Sequence, residues 1–115
     1  MFQARILDSK IRKLIIQDGE KFISSSDFGA SIIFSGTVRN NNNNKLVKGI
    51  TYDTHDALVI KSFDEIYKEA SEKLKILNKA VFIDHAKGYL DLGEISIIIA
   101  CLLYTSDAAD ETGRV

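Results

Sequence analysis

The residue in this sequence best suited to chemistry is an arginine at the end of an apolar, β-branched run. It lies in "GASIIFSGTVRNNNNNK", residues 29–45. Arginine offers five donors in a planar fork and keeps its charge at any ordinary pH, so Arg39 is suited to holding a phosphate or a carboxylate. Gly36, three residues earlier, would let a ligand or another backbone approach closely. Five consecutive asparagines follow, and asparagine tolerates left-handed turns. Residues 39–45 are therefore predicted to form a mobile polar loop, with Asn40, Asn41 and Asn42 beside the arginine. The competing reading is that Arg39 is a solvated surface charge, the common state of an arginine after a strand.

Other reactive side chains are few. His55 and His85 are the only histidines and Cys101 is the only cysteine. Three residues so far apart have no metal-ligand spacing, and one cysteine makes no internal disulfide. No metal and no cofactor is expected. His85 reads as a strand-end histidine satisfied by local hydrogen bonds, and His55 as packing at a helix entry. No catalytic residue is assigned.

The elements that must position Arg39 follow from the patterning. "FQARI" alternates as a strand over 2–7, and Asp8 or Ser9 would cap a helix running through "KIRKLIIQ" and, past an Asp18-Gly19 interruption, "EKFISS". Residues 29–38 are β-rich and glycine-bounded, and 46–55 resume a strand. Apolar residues spaced by three and four predict the longest helix over 57–77. A strand over 80–86, a turn-rich connection over 88–94 and a last strand over 94–100, buried on both faces, complete the chain. The order β-α-β-β-α-β-β predicts an α+β fold: two helices on a mixed sheet.

The 115 residues allow one domain, and 45% hydrophobic with 27% charged residues is ordinary for a water-soluble globule. No apolar run approaches the roughly 20 residues of a membrane span. A formal charge of −1 supplies no pull toward nucleic acid or anionic membranes. The N-terminus lacks a secretory pattern, so a cytoplasmic protein is expected.

"FGASIIFSGTVRN", then "GITYDTHDAL", the long helix and "IDHAKGYLDLGEISIIIA" together resemble the large, catalytic subunit of molybdopterin synthase, over about residues 2–100. The resemblance implies an α/β hammerhead fold, here incomplete at its C-terminus, and a homodimer at the centre of a heterotetramer. It also implies a small ubiquitin-like partner whose C-terminal thiocarboxylate gives sulfur to cyclic pyranopterin monophosphate, making molybdopterin. On this match Arg39 lines the pocket of the anionic substrate, with the asparagine loop beside it. Two departures stand out. Many members have His-Arg where this chain has His85-Ala86-Lys87, so no catalytic role passes to His85. The family's catalytic lysines lie in a C-terminal segment around Pro-x-Trp-Lys, whereas this chain has no lysine after Lys87 and neither proline nor tryptophan.

The last fifteen residues change character. "CLLYTSDAADE", Cys101 to Glu111, matches the translation of a commonly used transposase sequencing adapter. The reading is a family domain over 1–100 and a non-native tail over 101–115. Without the tail's three acids and one base, the remaining chain carries a formal charge of +1. As written the chain is expected to be inactive. The alternative is a non-catalytic module binding a ubiquitin-like partner or an anionic ligand.

Overall fold

The computed structural model describes residues 1–24, 28–42, 45–46, 48–74 and 79–103, without the side chains of residues 41, 42, 45 and 74. Its elements are β1 (Phe2–Asp8), α1 (Ile16–Phe22), β2 (Ala30–Thr37), β3 (Asn41–Asn42), β4 (Lys45–Leu46), β5 (Gly49–Tyr52), α2 (Asp56–Leu74), β6 (Lys79–Asp91) and β7 (Ile95–Leu103). The main sheet runs β1-β6-β7-β2, and β5 pairs with the far half of β6. β1 lies parallel to β6, while β6–β7, β7–β2 and β5–β6 are antiparallel. This is the mixed α+β sheet with two helices that the patterning predicts.

Strand alternation assigns each helix its own face. Phe82, Asp84 and Ala86 of β6, with Ile98 and Ala100 of β7, are buried on one side. There α1 crosses β7: a Cβ placed on Gly19 would lie 3.2 Å from Ile98 and 3.7 Å from Ala100. Phe22 of α1 packs on Phe82 with ring centroids 5.3 Å apart. Leu14, Val38 and Leu90 complete this core. The intervening residues Val81, Ile83, Ile99, Cys101 and Leu103 face α2 and line a groove of about 340 Å³ with Phe63 and Tyr67. Phe2 of β1 stacks on Tyr67 at 4.8 Å, fastening α2 to the sheet. The groove's outer lip is Ile32 on β2, which is 63% exposed.

Several element boundaries differ from those predicted, each for a physical reason. The first helix spans only 16–22, and neither Asp8 nor Ser9 caps it. Asp8 instead organises a turn after β1: its carboxylate accepts the Lys10 N–H, and its carbonyl accepts those of Ile11 and Arg12. Asp18-Gly19 lies inside the helix, because the missing side chain lets the helix backbone approach β7. β6 does not stop near residue 86. It runs on through Gly88, whose φ of 92° only glycine adopts readily, and the turn contracts to a few residues around Gly93. β7 is buried on alternate residues only and extends to Leu103, opposite Ala30 of β2 and Lys79 of β6. The expected 39–45 loop contains a short ladder, Asn41 opposite Leu46 and Asn42 opposite Lys45. Residues 43–44, within that expected loop, and 75–77, at the expected end of the second helix, lie outside the described residues.

Candidate functional site

β2 ends where the β6–β7 turn meets it. The Val38 N–H donates to the Glu94 carbonyl at 3.0 Å, and the Gly93 N–H returns a bond to the Val38 carbonyl at 2.9 Å. This exchange stitches "FSGTVRN" to "GYLDLGE", segments more than 50 residues apart. Val38 is buried at 3% exposure, which turns the next residue, Arg39, outward. Arg39 is exposed and makes no ion pair with any described residue. Asn40 beside it is exposed as well.

Gly36 allows a close approach, but the approaching group belongs to this chain. A Cβ there would meet Ile97 Cγ2 at 2.9 Å, and the ladder slips a register between Gly36 and Thr37. Ser96 at that slip donates through its hydroxyl to the Gly36 carbonyl at 3.3 Å. The glycine therefore shapes the strand end that carries Arg39 and opens no ligand space.

Glu94 fixes the facing turn. Its carboxylate accepts the Asp91 N–H at 2.7 Å and pairs with Lys13 at 3.0 Å. The Asp91 N–H first, and Lys13 second, hold the Glu94 carboxyl below its ordinary value of 4.5. A depressed folded-state pKa contributes stability above the unfolded value and loses it as pH falls through the folded one. Acid titration of Glu94→Gln, followed by thermal melting, is therefore expected to show a shallower loss of stability below about pH 4.5. An identical acid profile would mean that the turn does not depend on this carboxylate.

The histidines lie elsewhere. His55 Nδ1 accepts the Leu58 N–H at 3.3 Å, closing the entry to α2. His85 Nδ1 donates to the Ala86 carbonyl at 2.7 Å, and its ring packs edge-on against Tyr52 at 5.4 Å. Nearby, Asp56 accepts from Thr54 at 2.5 Å and from Lys87 at 2.9 Å. These bonds pull the Asp56 carboxyl down, Thr54 contributing more than Lys87, and Asp56 raises the Lys87 ammonium. Burial raises the Cys101 thiol, so this cysteine is held as a neutral apolar side chain in the groove under α2. Among the described residues no group of three His, Cys, Asp or Glu side chains could hold a metal ion. Nor is any described helix long and apolar enough to cross a membrane.

One polar cluster escaped the sequence reading. Asp84, fully buried, receives a bidentate pair from Arg5, Nε to Oδ1 at 2.7 Å and Nη2 to Oδ2 at 2.6 Å. Arg5 also reaches Asp18 at 3.3 Å, and Arg12 closes on the same Asp18 oxygen. The available signal was an aspartate at a core-facing position of "AVFIDHA" and an arginine within "FQARI".

The family model for MoaE protein matches residues 10–114. The chain belongs to the MoaE family. A molybdopterin synthase catalytic subunit of Emericella nidulans is 37% identical over 78 residues, 68% of this chain and 39% of that protein. The corresponding subunit of Pyrococcus abyssi is 31% identical over 84 residues, covering 73% and 55%. This MoaE-family chain thus spans about half or less of the length of those relatives. Among solved structures, the molybdopterin biosynthesis MoaE protein of Burkholderia ambifaria superposes with a TM-score of 0.73 at 21% identity, covering 96% of this chain and 70% of that one. Molybdopterin synthase of Staphylococcus aureus gives 0.72 at 22%, covering 91% and 74%. A complex of subunits 1 and 2 of the molybdopterin-converting factor from Helicobacter pylori gives 0.62 at 20%, covering 96% and 70%. The shared fold is that of MoaE proteins.

Proposed function

We propose that this MoaE-family chain is part of a molybdopterin synthase catalytic subunit, a cytoplasmic sulfurtransferase. Its reaction moves sulfur from the C-terminal thiocarboxylate of a small ubiquitin-like subunit to cyclic pyranopterin monophosphate. The subunit works as a homodimer within a heterotetramer. Arg39 is the residue proposed to hold the anionic substrate, with Asn40, Asn41 and Asn42 beside it. The observation that carries this reading is the placement of Arg39: exposed, at a strand end tied through Val38 to the Gly93–Glu94 turn, in a chain of this family. A planar cationic fork carried on a strand end that is tied down can hold a phosphate during an acyl-transfer-like step. The relatives named as catalytic subunits support the assignment.

No lysine follows Lys87, so the lysines that the family places near its C-terminus are missing, and the chain as written is proposed to be inactive. We further propose that residues 1–100 are the family domain and 101–115 an adapter-derived tail. Cys101–Leu103 pair within β7 and Leu102 is buried, so the proposed division after Ala100 rests on the sequence alone. Genomic sequence downstream of the Ala100 codon tests the division. A lysine-rich continuation with Pro-x-Trp-Lys supports it, and codons for 101–115 continuing into unrelated genomic sequence refute it.

In the uninterrupted protein, Arg39→Ala is expected to lower conversion of the phosphorylated pterin by roughly 10-fold or more, the worth of a charge-assisted hydrogen bond. Unchanged conversion would remove Arg39 from the site. A genuine 3′ end without the lysine segment would favour the second reading, a non-catalytic module for a ubiquitin-like partner or an anionic ligand.

A further inference from the structure

On the α1 face of the sheet lies a polar cleft of about 480 Å³, lined by Gln3, Arg5, Arg12, Asp18, Lys21, Phe22 and Phe82. Its volume is within the range of small-molecule sites. Arg39 is not among its lining residues. Three cations border the cleft, against one lining carboxylate, Asp18. The second carboxylate, Asp84, is fully buried beneath Arg5.

The donors are only partly used. Arg5 commits Nε and Nη2 to Asp84 and Asp18, and Arg12 commits Nη2 to Asp18. The remaining guanidinium nitrogens, and the Lys21 ammonium, have no acceptor among the described residues. Arg5 is also held rigidly: its bidentate grip on Asp84 fixes the guanidinium plane, which rests 5.3 Å from the centroid of Phe82. Half-buried Phe22 adds an apolar wall, its ring packed against the buried Phe82 at a tilt of 31°. Fixed cationic donors beside an aromatic wall make a chemistry that recognises an anion attached to a compact apolar group.

We infer that this cleft is a second ligand site, taking a small phosphate-bearing molecule. The phosphate lies against Arg12, Lys21 and the free edge of Arg5, and the apolar part lies on Phe22. Asp18 sits between the two arginines and competes with the ligand for them. The site goes beyond the sulfur-transfer reading, since it does not use Arg39.

Inorganic phosphate and phenyl phosphate, titrated at low ionic strength by calorimetry, test the assignment. Both are expected to bind saturably, phenyl phosphate more tightly because it also covers the accessible part of Phe22. Arg12→Gln and Lys21→Gln, both exposed and neither bonded to the buried Asp84, are each expected to weaken binding by about fivefold or more. Asp18→Asn is expected to tighten it, which a purely structural Asp18 would not do. Arg39→Ala leaves this binding unchanged, so loss of the proposed activity and loss of this site are read separately. Absence of saturable binding for both probes, or binding insensitive to Arg12→Gln and Lys21→Gln, overturns the inference.

Discussion

Arg5→Ala is expected to destabilise the fold by about 3 kcal/mol, read as a lower denaturant midpoint at unchanged slope. Asp84 has no exposed surface and stands in the core-facing row between Phe82 and Ala86, opposite Ile98 across the ladder. Its charge is tolerable there only because Arg5 covers both oxygens. Removing the arginine strands a carboxylate in an apolar core, a change that costs 3–5 kcal/mol where burial is complete. Arg5 is itself 32% exposed, so water can replace part of the lost solvation, which places the effect near the lower end. The same reasoning predicts that Arg5→Met with Asp84→Leu recovers most of the loss, since a buried ion pair adds little over apolar residues of similar size. Equal destabilisation in the single and double variants would show that the pair does more than neutralise itself.

Gly88→Ala is expected to cost about 2 kcal/mol, from two separable sources. The backbone at φ 92° is unfavourable for any L-residue, and an added Cβ would lie 2.6 Å from the Ser9 hydroxyl. Ser9 cannot easily retreat, because it is 9% exposed and its N–H is tied to the Lys87 carbonyl at 2.9 Å. Removing the hydroxyl with Ser9→Ala relieves the collision but not the dihedral. In that background Gly88→Ala is expected to cost only about 1 kcal/mol, the dihedral share. Thermal melts of the four proteins in this cycle measure the coupling. Costs that simply add would place the whole penalty in the backbone.

Local pattern carried much of the fold. The β-rich run at 29–38 became β2, and the three-four spacing from Leu58 onward became α2, because both rest on residues close in sequence. The F-S-G-T-V-R-N and G-x-L-x-x-G-E segments pointed to one family, and the structure brings them together through Val38 and Glu94. The first helix is shorter than predicted because Asp8 organises a turn and Ile15 is extended, and it runs through Gly19 because that residue fits against Ile98, 79 positions away. β6 runs past its predicted end at residue 86, where a glycine after a strand ordinarily marks a turn. Here the partner strand β5 keeps pairing across it, Tyr52 opposite Gly88.

The sequence by itself determined the alternation of apolar residues, the position of Arg39 at the end of an apolar run, and the family to which the motifs belong. Tertiary structure alone decided that Gly36 makes room for Ile97 rather than a ligand, and that Arg5 meets Asp84 across 79 residues. It alone placed Arg12, Asp18 and Lys21 around one cleft. Propensity and periodicity act over a few residues, whereas charge pairing, close packing and cleft formation depend on which distant strands become neighbours.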